Sequence, residues 1–83
     1  MGMDKKDVSK LRERIGWSQG EMARAIGASH GITISHWETG VRVPREITKR
    51  FLRMLTELSD SELRRTTKLL EKIADEEKSN AKK

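Results

Sequence analysis

Residues 17–40 read WSQGEMARAIGASHGITISHWETG, and the fold turns on this stretch. Ser18 and Glu21 have the Ser-x-x-Glu spacing of a capping box, in which each side chain satisfies the other's backbone N–H. Trp17 ahead of the cap and Met22 at the fourth helical position match a hydrophobic staple. Met22, Ala23 and Ile26 give this helix one buried stripe. Gly27 then stops it after about eight residues, since glycine takes the left-handed turn at a helix end without strain. A second short helix starts near residues 29–31 and ends at Gly40. Two short helices joined by so tight a Gly-containing turn predict a helix-turn-helix. In the second of them Ile34 and Trp37 lie within about 60° of each other on a helical wheel and share a buried face. Ile32, Ser35, His36 and Thr39 point the other way. That outward face carries no Lys or Glu, which suits contact with something polar and structured better than contact with water.

The rest of the chain is also helical. Asp4 is a fitting N-cap for a helix over residues 5–15, with Val8, Leu11 and Ile15 on its apolar stripe and Gly16 as its stop. Residues 41–44 form a loop, and Pro44 fits the first position of a fourth helix, where its missing N–H costs nothing. Ile47, Phe51, Leu52 and Leu55 are the expected inward stripe of that helix. Ser59 and Glu62 make a second capping box, opening a fifth helix through Ala74 with Leu63, Leu70, Ile73 and Ala74 on its seam and Thr66 or Thr67 between. Residues 75–83 are polar and expected to be disordered. The reading is all-α: a helix-turn-helix core over 4–57, a C-terminal helix over 58–74 and a polar tail.

Composition bounds the function. With 83 residues there is room for one domain, and charged residues (37%) outnumber hydrophobic ones (34%), so the core is thin. Absence of cysteine excludes disulfide scaffolds, thiolate zinc sites and thiol catalysis. No apolar run approaches the roughly 18–20 residues of a membrane span, and none follows a basic start as a secretory signal would, so the expected compartment is the cytoplasm. No metal and no cofactor are expected: His30 and His36 lack a third ligand. No nucleophile–base pair can be placed, so the chain does not read as an enzyme. The net charge of +5 admits nucleic acid as a partner. Its distribution is more telling, because Arg42, Arg45, Lys49, Arg50 and Arg53 stand against Glu46 alone.

These residues resemble a known family. The run Leu11-Arg12-Glu13-Arg14-Ile15-Gly16-Trp17-Ser18-Gln19, the Met22-Ala23 pair, Ile26-Gly27-Ala28-Ser29 and the Ile34-Ser35-His36-Trp37-Glu38-Thr39-Gly40 ending, with Pro44 beyond, resemble the Cro/cI-like (XRE) helix-turn-helix regulators. The resemblance covers residues 7–55 and rests on the joint spacing of these motifs. It implies a five-helix lambda-repressor-like DNA-binding domain whose third helix enters the major groove while the second braces it across the backbone. Between Gly27 and Trp37 the chain carries one residue more than the family pattern, expected near His30-Gly31, where it lengthens the turn. Matching forward from Gly27 makes Ser29 the cap of the recognition helix; matching backward from Trp37 moves that start to His30.

On this resemblance Thr33, His36, Ile32 and His30 are the base-reading candidates, with Ile32 suited to a thymine methyl. Ser18, Gln19, Ser29, Ser35, Thr39, Arg42 and Arg45 are the candidates for the phosphate backbone. Double-stranded DNA is the implied partner, with no membrane. One recognition helix covers only a few base pairs, so the leading expectation is a homodimeric repressor on a palindromic operator, paired through the fifth and also the fourth helix. An antitoxin that binds a toxin protein and represses its own operon is the alternative, and a protein-interaction module is a third class.

Overall fold

The computed structural model describes residues 3–81, and side-chain surroundings for 3–77. Five helices follow in order: α1 (Lys5–Ile15), α2 (Gln19–Ile26), α3 (Gly31–Thr39), α4 (Glu46–Glu57) and α5 (Asp60–Ala81). Strands are absent among the described residues.

Local chemistry sets most of the boundaries. The Asp4 carboxylate accepts from the N–H groups of Lys6 and Asp7, and Asp7 accepts from Asp4 N–H, so α1 opens on a complete capping box. Ser18 and Glu21 do the same for α2. Ser59 and Glu62 do it for the chain entering α5. Gly16, Gly27 and Gly40 end α1, α2 and α3 at φ values of 89°, 81° and 82°. This left-handed region favours glycine, because a Cβ there crowds the backbone.

Each helix contributes to a single core. Val8 and Leu11 of α1, Met22 and Ala23 of α2, Ile34 of α3, Leu52 and Leu55 of α4 and Leu63 of α5 are buried, together with Met3 and Trp17. Burial of Trp17 and Met22 together is what a staple requires. Trp37, Phe51 and Leu70 pack on this core while remaining partly exposed. The second helix is the hub, packed on α3 along one side and α5 along another.

Four details differ from the sequence expectations. Pro44 precedes the helix instead of opening it: Arg45 is the N-cap of α4, and Pro44 is buried. Ile47 is 78% exposed, because the inward face of α4 is centred on Leu52 and Leu55 and Ile47 lies about 110° away from that centre on the wheel. Ile73 likewise lies outside the seam at 42% exposure, and the buried threonine of α5 is Thr67. Finally, α5 does not stop near Ala74 but runs to Ala81. No glycine or proline interrupts residues 75–81, and Asp75 forms an ion pair with Arg24 of α2. Residues 82 and 83 of the expected tail lie outside the described residues.

Candidate nucleic-acid interface

A buried carboxylate sets the position of α3. Only 8% of the Glu38 side chain is exposed, and it accepts from Arg12 Nε at 2.6 Å and from Gln19 Nε2 at 3.0 Å. Arg12 also donates to the Trp17 carbonyl at 2.9 Å. One anion thereby joins α1, the entry to α2 and the last turn of α3. Burial pushes the Glu38 carboxyl upward, but hydrogen bonds from Arg12, Gln19 and Ser9 and the charge of Arg12 outweigh it, leaving it below the usual carboxylate range. The same hydrogen bond with Glu38 raises Arg12.

The other end of α3 is held by the absence of a side chain. A Cβ on Gly31 would lie 3.2 Å from both Cα and N of Gly20, so the backbones of α2 and α3 approach so closely here that a larger residue would have to push them slightly apart. His30 is the N-cap of α3 and makes no side-chain capping bond. This decides between the two alignments. His30, the start reached by matching backward from Trp37, is the N-cap, and Ser29 lies in the turn before it.

Held at both ends, α3 forms one wall of an open groove of about 860 Å³. Ser29, Ile32, Thr33 and His36 line it from the turn and helix, while Arg42, Arg45 and Thr48 line it from the far side. Ile32 is 59% exposed, Thr33 and His36 are half-buried, and both arginines are exposed. Among the described residues neither Arg42 nor Arg45 is paired with a carboxylate. The groove thus has a mixed aliphatic and polar floor and a cationic rim.

Six of the residues singled out from the sequence meet in this groove; the other five do not. His30 is exposed at the helix start. Ser18 spends its hydroxyl as acceptor for Glu21 N–H. One N–H of the Gln19 carboxamide is committed to Glu38, which leaves its second N–H, its oxygen and the N-terminal turn of α2. Thr39 Oγ1 donates back to the Ser35 carbonyl at 3.0 Å, and Ser35 is half-buried. Sequence reasoning missed the roles of Arg12, Glu38 and Gly31. A buried pair separated by 26 residues has no local signature, and neither has a glycine that is needed only because a second backbone passes close by.

Among the described residues no cluster of His, Cys, Asp or Glu could hold a metal ion, and no helix is long and apolar enough to cross a membrane. Comparison with curated proteins and with solved structures gave no match. A family model described as helix-turn-helix matches residues 8–58, well over half of the chain. That span begins in α1, ends at the close of α4 and contains the whole groove, while α5 lies outside it. With the motif, the five-helix arrangement and the matched span in agreement, the chain belongs to the Cro/cI-type helix-turn-helix family of DNA-binding transcription regulators.

Proposed function

We propose that this chain is a cytoplasmic repressor that binds a two-fold symmetric operator as a homodimer, each copy laying α3 in the major groove. The observation that carries this reading is the groove itself: Ile32, Thr33 and His36 stand together beside Arg42 and Arg45. Base edges are read by a few side chains on a helix, while cations at its margins hold phosphates. A major groove about 12 Å wide admits one helix, and the pinning of α3 by Glu38 and Gly31 keeps that helix rigid enough to be read against a duplex.

The homodimer rests on a second observation. Ile47 and Met54 are 78% and 50% exposed on α4, beside Phe51, which is packed on the core but still partly exposed. Leu69 and Ile73 on α5 are 54% and 42% exposed, and Phe51, Leu70 and Ile73 line a common hollow with the end of α2. A second copy of the same chain is the occupant this face suits. The molecule's middle dimension is 30 Å, so two copies side by side stand near the roughly 34–36 Å separation of half-sites one helical turn apart. Selection of bound duplexes from a random pool tests the whole reading. A palindromic consensus with half-sites one turn apart is the expected result, and an asymmetric consensus bound by a monomer would overturn it.

A further inference from the structure

We propose that the outer ridge of α5 is a docking surface for an acidic helical segment of a partner protein, separate from the groove proposed to face DNA. The residues that carry it are Arg64, Arg65, Lys68 and Lys72, all exposed. By count the stretch from Asp60 to Asp75 is balanced, with these four bases against Asp60, Glu62, Glu71 and Asp75. Helical spacing even gives each base an acid three or four residues away, and such neighbours ordinarily interact. The fold draws every one of those acids off. Asp60 accepts from Arg14 of α1 at 2.8 Å, Glu62 from the Ser59 N–H at 2.9 Å and Glu71 from Trp17 Nε1 at 2.8 Å, while Asp75 is paired with Arg24 of α2. The charge of Arg65 reaches Glu62 as a minor influence, but none of the four bases forms an ion pair among the described residues.

What remains is a positive strip of defined size. Arg65, Lys68 and Lys72 lie within about 60° of one another on the wheel and about 150° from the buried Leu63 and Thr67, with Arg64 at their margin. From Arg64 to Lys72 the helix rises about 12 Å, and Arg64, Lys68 and Lys72 succeed one another at steps of about 6 Å. Carboxylates four residues apart on a facing helix repeat at the same step, so they meet the strip in register. The strip is also bounded: Glu57, Asp60 and Glu62 precede it, and Asp75, Glu76 and Glu77 follow it. A duplex backbone runs past so short a strip and meets those acids at both ends, whereas a helical segment of about two turns does not. No described residue of α5 lines the groove, so a duplex held there leaves the strip free. Complementary charge of this kind steers association and selects partners.

The test uses a synthetic probe, a stapled alanine helix with glutamate at every fourth position, and its glutamine counterpart. Each is titrated into the isotope-labelled full chain while backbone amide shifts are followed by NMR. We expect the glutamate helix to shift the amides of residues 64–72 and leave those of 42–49 in place, and the glutamine helix to shift neither. Lys68→Glu/Lys72→Glu should weaken the glutamate helix about tenfold, two attractive contacts having turned repulsive. Lys6→Glu/Lys10→Glu makes the same change of net charge on α1 and should weaken it less than about threefold, since salt screens distant charges. All four lysines are exposed, so both variants should fold, which melting temperatures verify. Lys68→Gln/Lys72→Gln repeats the measurement without introducing acids and should also weaken the glutamate helix. Absence of saturable binding, shifts confined to residues 42–49, or equal losses in the two reversal variants would overturn the proposal. A random-sequence duplex titrated in parallel should leave residues 64–72 unshifted; shifts there would assign the strip to nucleic acid and overturn it as well.

Discussion

His36 and Arg45 line the same groove yet answer to different physics. Arg45 is exposed at the N-cap of α4, where a cation meets a phosphate without regard to base. Arg45→Ala should therefore weaken binding to specific and random DNA alike and lower the slope of log affinity against log salt by about 0.9, one phosphate's worth. His36→Ala should leave the salt slope nearly unchanged and flatten discrimination at one or two base pairs, costing about 1–3 kcal/mol on the preferred site. Titrations on both DNAs at several salt concentrations separate these outcomes. The two close-approach glycines form a second contrast. A Cβ at Gly20 has nothing nearer than Ser18 Oγ at 4.0 Å, whereas one at Gly31 meets main chain at 3.2 Å. Gly20→Ala should raise stability by about 0.5–1 kcal/mol, the usual gain within a helix. Gly31→Ala should lower the melting temperature and weaken operator binding several-fold, because α3 must move off α2. Thermal melts and affinities of the two variants decide this.

Between elements, Glu38 is the joint on which α1, α2 and α3 meet. Losing it breaks charge-assisted hydrogen bonds to Arg12 and Gln19 in a largely buried place, and such bonds contribute about 1.5–3 kcal/mol each. Because the folded carboxyl lies below its ordinary value of 4.5, its stabilisation is fully present above that pH and is lost as pH falls through the lowered value. Glu38→Gln should therefore melt lower at pH 7 by roughly 10 °C and show a shallower decline below pH about 4.5 than the wild type. The remaining acid slope belongs to the capping carboxylates Asp4, Glu21 and Glu62, which cap hydrogen bonds also hold below their ordinary range. Melting curves between pH 3 and 7 measure both effects. The capping boxes were legible from spacing alone because they act within one turn. The start of α4 was not: Pro44 suits either side of a helix boundary, and in the fold it is buried one residue ahead of the N-cap, Arg45.

At the scale of the whole molecule, α5 changes what the shared core can do. It follows α2 along much of its length, tied by Trp17 Nε1 donating to Glu71 at 2.8 Å and by the Arg24–Asp75 ion pair. Arg14 braces the junction before it, donating to Asp60 and to the carbonyls of Thr56 and Leu58. Its main apolar face is thus occupied within the chain, which moves the surface proposed for pairing toward α4 and the exposed flank of Leu69 and Ile73. Met54→Lys should leave the fold intact, since Met54 is half exposed, and shift sedimentation from dimer to monomer at low micromolar concentration. A dimer that persists unchanged would take α4 out of the interface.

Sequence alone determined the element types, their approximate ends and the family, because capping boxes, helix-stopping glycines and apolar stripes are short-range devices whose partners lie within a turn or two. Of the outward face that the helix period gave, only Ile32 and His36 line the groove; Ser29, Thr33, Arg42 and Arg45 were named by the family resemblance. Only tertiary structure decided how α3 is seated. The Glu38 network and the Gly20–Gly31 approach join residues from different helices, and no local pattern encodes a contact whose energy exists only after those helices pack. The same holds for Ile47 and Ile73, where periodicity offered two adjoining faces and packing chose which one to bury.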